Sequence, residues 1–472
     1  MEQNKKTRLL LLSVSSTSFF YEQLVLPFGL VSLGSYVDGP DYEIKGIEMN
    51  RPAHKVLQRY LNVDEEVMSR IVDFSPDIVA MSTYSSNMYN VLFWTKTIKQ
   101  RLPDAFIVIG GNHASYMAQE SLEYCSGLDA VIKFEGEIPF KALCEKIASG
   151  SRDFSDVPNM VYRDNGRIVE NEYITYMRDL DSLPILNRSY FGEQDDSDLS
   201  HADVISARGC TANCTFCNCN HYWSKTHRTR SIQSVIKEIE TLKKKYPLKS
   251  IRFRDETLTL RKKYCIEVCN AIIGAHLNDI KYQAHSRLDG LDEEVIKELS
   301  MAGFEQLFIG VESGSKDVLK RLKKGINLSK LETIIPLLRE YNIRFRLSFM
   351  SSTPKETFQE TLETVKLIKK LKLSRDEYYI GVGVDIYPGT FECERFLKIH
   401  PDYKWLGKDY DNFKGRYFAL KDVAGNILHP KYREYSLAKT AVIFFLLSPE
   451  YFMQKLYALC VKKIKSVFKI KS

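Results

Sequence analysis

Four of the ten cysteines fall within ten consecutive residues, at Cys210, Cys214, Cys217 and Cys219. The first three stand at i, i+4 and i+7 in the stretch Arg208-Gly-Cys-Thr-Ala-Asn-Cys-Thr-Phe-Cys217, a spacing that can turn soft sulfur ligands from one loop onto one face of a metal group. Iron–sulfur clusters are usually held by four cysteines, so a set of three leaves one iron with an open position for a substrate or cofactor. Zinc is the other soft-ligand reading, with Cys219 or His221 completing a tetrahedral set. Zinc ribbons need a second cysteine pair at a distance, and Cys265 and Cys269 stand instead at i, i+4 on an expected helix. These two, with Cys125, Cys144, Cys393 and Cys460, read as packing residues.

Such a loop needs a frame that brings it to an edge where cofactors can reach it. The chain has 472 residues, enough for two or three domains, and its 44% hydrophobic and 27% charged content is that of a folded globular protein. Residues 1–150 alternate strand candidates at Leu9–Val14, Tyr42–Ile47, Ile78–Ser82, Phe106–Ile109 and Ala130–Ile132 with stretches of helical periodicity. Five such units predict an α/β, doubly wound, Rossmann-like parallel sheet that takes a ligand at the carboxyl ends of its strands. Those ends carry Ser82 and Thr83, then Gly110, Gly111 and His113, then Gly136 and Glu137. Glycine there lets a flat ligand approach the backbone, although ordinary turn chemistry accounts for the same residues.

Residues 151–200 read as a linker containing a hairpin, Met160–Val169, turned at Asp164-Asn165-Gly166. Residues 201–385 resume the alternation, with strands expected at Asp203–Ala207, Ser250–Phe253, Lys281–Ala284, Gln306–Ile309, Arg344–Phe349 and Tyr378–Val382. Six strands, each followed by helix, predict a partial (β/α)6 barrel of the TIM type, with its chemistry at the carboxyl rim and Cys210 just past the first strand. Thr353-Pro-Lys-Glu356 reads as a capping box opening a helix over Lys355–Leu371, and Gly303 as a helix stop. A mainly helical region, 386–472, follows.

The cysteine stretch, with Phe216 before its last thiol, resembles the signature of radical S-adenosylmethionine (SAM) enzymes. Arg254-Asp-Glu-Thr257, Ser286-Arg-Leu-Asp289, Gly310-Val-Glu-Ser-Gly-Ser315, Thr353-Pro-Lys-Glu-Thr357 and Tyr387-Pro-Gly-Thr390 look like segments of the group with an N-terminal cobalamin-binding domain. Leu26-Pro-Phe-Gly-Leu30, Gly110-Gly-Asn-His113 and Phe134-Glu-Gly-Glu137 are similar to recurring pieces of that domain. The resemblance implies that Cys210, Cys214 and Cys217 ligate a 4Fe-4S cluster whose free iron chelates SAM, so that one electron yields methionine and a 5′-deoxyadenosyl radical. It further implies Phe216 at the adenine, Asp255 and Glu256 at the methionine amine, Arg287 at the carboxylate, and Glu312 and Ser313 at the ribose or amine. These match charge to charge, an ammonium wanting an acid and a carboxylate a guanidinium. Pairing of Glu312 with Arg287 on the barrel rim is the structural alternative. Cobalamin is implied at Ser82, Thr83, Gly110, Gly111, His113, Gly136 and Glu137.

One departure concerns the cobalt. The loop after the first strand, Ser15–Leu26, contains no histidine, so it offers cobalt no lower imidazole ligand. The function implied is methylation of an unactivated carbon of a small-molecule or lipid-like substrate by way of methylcobalamin, with electrons from an external flavodoxin- or ferredoxin-type reductant. No residue is singled out as catalytic. The alternatives are a radical cyclase or rearrangement enzyme without methyl transfer, and a zinc-binding interaction module. A methylthiotransferase is disfavoured because residues 1–150 hold only Cys125 and Cys144, too few for a second cluster. The net charge of +7 is mild and does not imply nucleic acid; the short Leu9–Leu12 run is no signal segment, so a cytoplasmic protein is expected. The tail Met453–Ser472, with six lysines and no acid, has the pattern of an amphipathic helix that either lies on an anionic membrane surface or packs on the barrel.

Overall fold

The structure is a computed structural model describing residues 6–14, 27–49, 65–191, 200–406, 417–421, 427–434 and 437–447. Its first sheet contains β1 (Thr7–Ser13), β2 (Tyr42–Glu48), β3 (Ile78–Ser82), β4 (Phe106–Gly110), β5 (Ala130–Ile132), β6 (Met160–Asp164) and β7 (Arg167–Glu170). The spatial order is β2-β1-β3-β4-β5-β6-β7, and the first five strands are parallel. Helices cover both faces of such a sheet, which is why Leu9 to Leu12 can be an unbroken apolar run. Leu9 and Leu11 pack with Leu30, Phe140 and Leu143 on one side, and Leu10 and Leu12 with Met68, Ile71, Trp94 and Ile98 on the other.

Strand order reverses between β1 and β3, and the carboxyl ends there form the crevice in which open α/β sheets take their ligands. The loop that follows β1, with its missing histidine, lies outside the described residues. The segment expected as a linker instead extends this sheet: β6 adds antiparallel to β5, and Asn165 and Gly166, both left-handed, turn the chain into β7.

The strand expected at Asp203–Ala207 is two strands. β8 (His201–Val204) ends at a break over Ile205 and Ser206, after which β9 (Ala207–Arg208) leaves the main sheet to pair antiparallel with β10 (Arg228–Thr229). Ser206 causes the break, because its amide and hydroxyl both donate to Asp255, at 2.7 and 2.5 Å, instead of to a ladder. β8 is followed in space by β11 (Ser250–Phe253), β12 (Lys281–Arg287), β13 (Phe304–Glu312), β14 (Arg344–Ser351) and β15 (Tyr378–Val382), all parallel. β8 and β15 remain at opposite edges, so the barrel is open.

Two helix ends repay comparison with the sequence. Gly303, at φ +92°, stops the helix Glu293–Met301 as expected. The capping box, in contrast, lies four residues later than expected, where Thr357 and Glu360 exchange both bonds at the head of Phe358–Lys370. Thr353 and Glu356 are also hydrogen-bonded, but Lys355 between them is left-handed, a conformation no right-handed helix continues.

Beyond β15 come β16 (Val384–Asp385), β17 (Tyr417–Lys421) and β18 (Ile427–Tyr432), an antiparallel sheet ordered β16-β18-β17 beside the helices Phe391–Ile399 and Leu437–Leu447. Between the first of these helices and β17 the chain touches the first domain, where the Leu406 amide donates to Glu120 at 2.6 Å and the Trp405 ring meets His113 edge-on. Among the described residues no helix is long and apolar enough to cross a membrane. The lysine-rich tail lies outside them.

Candidate functional site

The cysteine loop starts from β9 with a forced turn. Gly209 is left-handed, at φ +102°, and a Cβ there would collide with the Thr226 carbonyl. Its amide donates to Glu256 Oε2 at 2.9 Å, while further along the Thr215 amide donates to the Leu322 carbonyl at 3.0 Å and Asn220 Nδ2 to Asn213 Oδ1 at 2.8 Å. Cys214 is buried and Cys210 and Cys217 are half-buried. Gly209→Ala is expected to cost at least about 2 kcal/mol through the left-handed backbone and the collision together. A lowered thermal midpoint and a reduced iron content after reconstitution would register it.

The thiols lie within electrostatic reach of one another. Burial pushes Cys210 and Cys214 up, and an ionised Cys217 would raise both further. Cys219 holds the Cys217 thiol down, its backbone amide lying 3.5 Å from the Cys217 sulfur. Two cations face the group: Arg287 Nη1 is 3.9 Å from Cys214 Sγ, and Lys324 draws the Cys214 and Cys217 values down. Three soft thiols with cations at hand fit an anionic cluster. Among the described residues no three His, Cys, Asp or Glu side chains converge as ligands of a single ion would. Ligands to a cubane, each on its own iron, need not converge on a point.

The rim residues divide between facing the thiols and shaping the loop. Arg287 does not pair with Glu312: its guanidinium is fixed by Asp289 at 2.9 and 3.0 Å and by the Lys324 carbonyl at 2.9 Å, leaving Nη1 toward Cys214. Glu312 instead takes the Lys324 ammonium at 2.7 Å, from a left-handed backbone at φ +74° where β13 bulges against β14. Ser313 is buried against Thr364, the two hydroxyls 3.3 Å apart. Glu256 is engaged by Gly209 and by the Trp223 indole, at 2.5 Å. The Thr257 hydroxyl is buried with no hydrogen-bond partner. Phe216 packs against the cluster around Ile386, Phe396 and Trp405.

Asp255 holds the Ser206 break, and burial pushes its carboxyl up to about 7. A carboxyl raised on folding favours the protonated state, so its contribution to stability is full below the unfolded value of about 3.9 and declines as pH rises toward the folded one. Asp255→Asn is expected to flatten the decline in thermal midpoint between about pH 4 and about pH 7.

On the first domain, the residues expected at cobalamin line the carboxyl ends of β3 to β5. The Thr83 hydroxyl donates to the Gly110 carbonyl at 2.7 Å and accepts from the Ala114 amide at 3.0 Å. Gly111, at φ +96°, is needed for internal packing, since a Cβ would stand 2.7 Å from the Thr83 carbonyl and 3.0 Å from the Ser82 hydroxyl. His113 is buried, with Nδ1 at 2.9 Å from Ser85 Oγ. Gly136 heads the helix Glu137–Ala148, and a Cβ on it would meet Leu33 at 3.0 Å. These contacts order the loops at the carboxyl edge of the sheet, the edge at which open α/β folds take their ligands.

The two domains meet through residues that spacing did not reveal. Arg208, 5% exposed, donates to Glu135 Oε1 at 2.5 Å and to Glu137 Oε1 at 2.6 Å, both on the first domain. Burial alone would raise the Glu137 carboxyl, but Arg208 and then the Ser32 hydroxyl hold it below the usual carboxylate range. Arg228 reaches Glu135 Oε2 at 2.8 Å, and the Tyr222 hydroxyl donates to the Phe134 carbonyl at 2.6 Å. Beside them the Tyr116 hydroxyl is buried without a partner, within electrostatic reach of Cys219 and Cys217. Arg208 adjoins the cysteine motif, but its partners lie about seventy residues upstream, beyond the reach of any periodicity.

A doubly wound sheet joined to an open parallel barrel with three thiols on its rim places two ligand-taking edges of α/β folds in one chain. The family model described as the radical SAM superfamily matches residues 204–368, and that described as a B12 binding domain matches residues 21–144. An uncharacterised methyltransferase of Pyrococcus horikoshii is 30% identical over 331 residues, covering 69% of this chain and 70% of that protein. The cytidylyl-2-hydroxyethylphosphonate methyltransferase of Streptomyces wedmorensis is 26% identical over 398 residues, covering 75% and 74%. Among solved structures, the radical SAM methyltransferase TsrM of Kitasatospora setae, with cobalamin and a [4Fe-4S] cluster bound, matches at a TM-score of 0.74 and 17% identity, over 94% of this chain and 91% of that one. The chain belongs to the radical SAM superfamily, in the group that carries an N-terminal B12 binding domain.

Proposed function

We propose that this chain is a methyltransferase acting on an unactivated carbon of a small-molecule substrate, with Cys210, Cys214 and Cys217 holding the 4Fe-4S cluster. The observation that carries the reading is the cysteine loop itself, which leaves the carboxyl end of the open parallel barrel and is tied through Arg208 to the B12 binding domain. When bound, the cluster and SAM supply one-electron radical chemistry, and cobalamin supplies methyl transfer.

The chain's own residues position and enclose that chemistry. Arg287 and Lys324 bring positive charge to the thiols, Glu256 and Asp255 hold the turn from which they project, and Phe216 packs against the C-terminal cluster. The unpartnered Thr257 hydroxyl on the rim is the atom we assign to SAM, where a buried donor has most to gain from an acceptor. Electrons come from an external flavodoxin- or ferredoxin-type protein in the cytoplasm. The tail Met453–Ser472 has the composition of a peripheral membrane contact, which sedimentation with anionic vesicles at low and high salt would detect.

The test uses anaerobically reconstituted full-length protein with hydroxocobalamin, reductant and SAM. Formation of both S-adenosylhomocysteine and 5′-deoxyadenosine supports the reading, because methylation of an unactivated carbon consumes SAM in both ways. 5′-Deoxyadenosine alone would replace methyl transfer by another radical reaction, and a colourless protein loaded with zinc would replace the enzyme by a binding module.

A further inference from the structure

We infer that Arg208 is a positioning residue that sets the separation between the cluster held by the cysteine loop and the cobalamin held by the first domain. The inference rests on the cofactor assignment proposed above, and what it adds is the part that links the two sites.

The linkage is short and stiff on the barrel side. Arg208 lies two residues before Cys210, with only Gly209 between them. The Gly209 amide is held by Glu256, whose other oxygen takes the Trp223 indole, and the Arg208 guanidinium stands 5.7 Å from the centre of that indole ring. Arg208 is thus fixed along the chain and across a ring of contacts that closes on itself.

On the far side the guanidinium fork spans two carboxylates of one loop. Nη1 is on Glu135 and Nη2 on Glu137, a geometry that a lysine ammonium cannot reproduce at both places. Arg228 stands directly opposite Arg208 in the β9-β10 ladder. Two like charges so placed repel unless a counter-charge lies between them, and Glu135 takes both, one on each oxygen. The carboxylates themselves are held in place. The Met177 amide donates to Glu135 at 2.8 Å and the Ser32 hydroxyl to Glu137 at 2.6 Å. Phe134, just before them, is left-handed at φ +62°, its amide bonded to Ser115 and its carbonyl to Tyr222. A bulky residue held in that region stores strain, which persists where the surroundings over-determine the conformation.

A clamp needed only for stability would be better made from apolar residues, because replacing a buried ion group by packed hydrophobic ones is often neutral or stabilising. Charged groups in fixed directions specify one relative placement of the two domains. In a reaction between two cofactors, a misplacement of about 1 Å can lower the rate on the order of a hundredfold.

The test reads geometry directly. Full-length protein is loaded with cluster and cobalamin and reduced until both carry an unpaired electron, and the magnetic splitting between the two spins is recorded by electron paramagnetic resonance. Arg208→Lys keeps the charge but loses the fork, and Glu137→Gln keeps an acceptor for one arm of the fork but removes its charge. Both are expected to shift or broaden the splitting while iron and cobalamin per chain stay at wild-type values, Arg208→Lys by the larger amount. Should Arg208→Lys fail to hold a cofactor, Glu137→Gln decides alone. A wild-type splitting in a variant that retains both cofactors overturns the inference. Wild-type protein that binds no cobalamin overturns the cofactor assignment beneath it, a separate failure visible before any variant is made.

Discussion

Cys214→Ala is expected to yield a chain that folds and holds almost no iron. Reconstituted wild-type protein should bind about four iron and four sulfide per chain, and the variant less than about a tenth of that, because two thiols cannot retain a cubane that already lacks its fourth cysteine. The loss should be local. Cys214 is buried, but alanine removes a single heavy atom, a change worth on the order of 1 kcal/mol in a core. The thermal midpoint of metal-free protein should therefore stay close to wild type while iron and visible absorbance disappear. The nearby Cys219 thiol, beside Cys217, is the candidate for a substitute ligand. A variant that kept full iron would remove Cys214 from the ligand set, and Cys214→Ala combined with Cys219→Ala would then identify the replacement.

Glu135→Gln is expected to be the most damaging substitution at the meeting of the two domains. Its carboxylate receives Arg208 at 2.5 Å, Arg228 at 2.8 Å and the Met177 amide at 2.8 Å. An amide keeps the shape and removes the charge, so two guanidinium groups paired opposite each other in a ladder lose the anion between them. Breaking a buried ion pair by removing one partner typically costs about 3–5 kcal/mol. The thermal midpoint should fall and protease should cut between the domains at concentrations that leave wild type intact. Acid should mimic the substitution in part. Glu137 titrates below the usual carboxylate range, so its contribution is fully present above the unfolded value of about 4.3 and is lost as pH falls through the depressed one. An unchanged midpoint in Glu135→Gln would mean that the network adds nothing to stability.

Strands were legible both as near-continuous buried apolar runs, as in Ile78–Ser82 and Ala130–Ile132, and as short alternating ones, as in Ser250–Phe253. Ile78–Ser82, Ala130–Ile132, Ser250–Phe253 and Tyr378–Val382 lie where the sequence places them. The reading failed where one side chain overrules the pattern. Asp203 to Ala207 looks like one strand because no local signal announces that Asp255, some fifty residues on, will capture Ser206. Thr353-Pro-Lys-Glu356 and Thr357-Phe-Gln-Glu360 carry the same cap chemistry in tandem, and only the left-handed Lys355 decides between them.

The thiols were legible because metal chemistry dictates spacing along the chain. Lys324, Arg228 and Tyr116 were not, since their importance comes from burial beside residues distant in sequence. Glu137 shows both sides of this. Its position at a strand's end singled it out, but its carboxylate faces Arg208 and Ser32, so it reaches the cysteine loop through a neighbour.

The central claim is that these three sulfurs leave an iron free to take SAM and divide it. The direct measurement is 5′-deoxyadenosine, quantified after anoxic incubation of cluster-loaded protein with SAM, with and without a one-electron reductant. The account predicts the nucleoside and methionine in equal amounts, only with reductant present, and none from Cys214→Ala. A chain carrying its full cluster that leaves SAM intact under the same reducing conditions would contradict it.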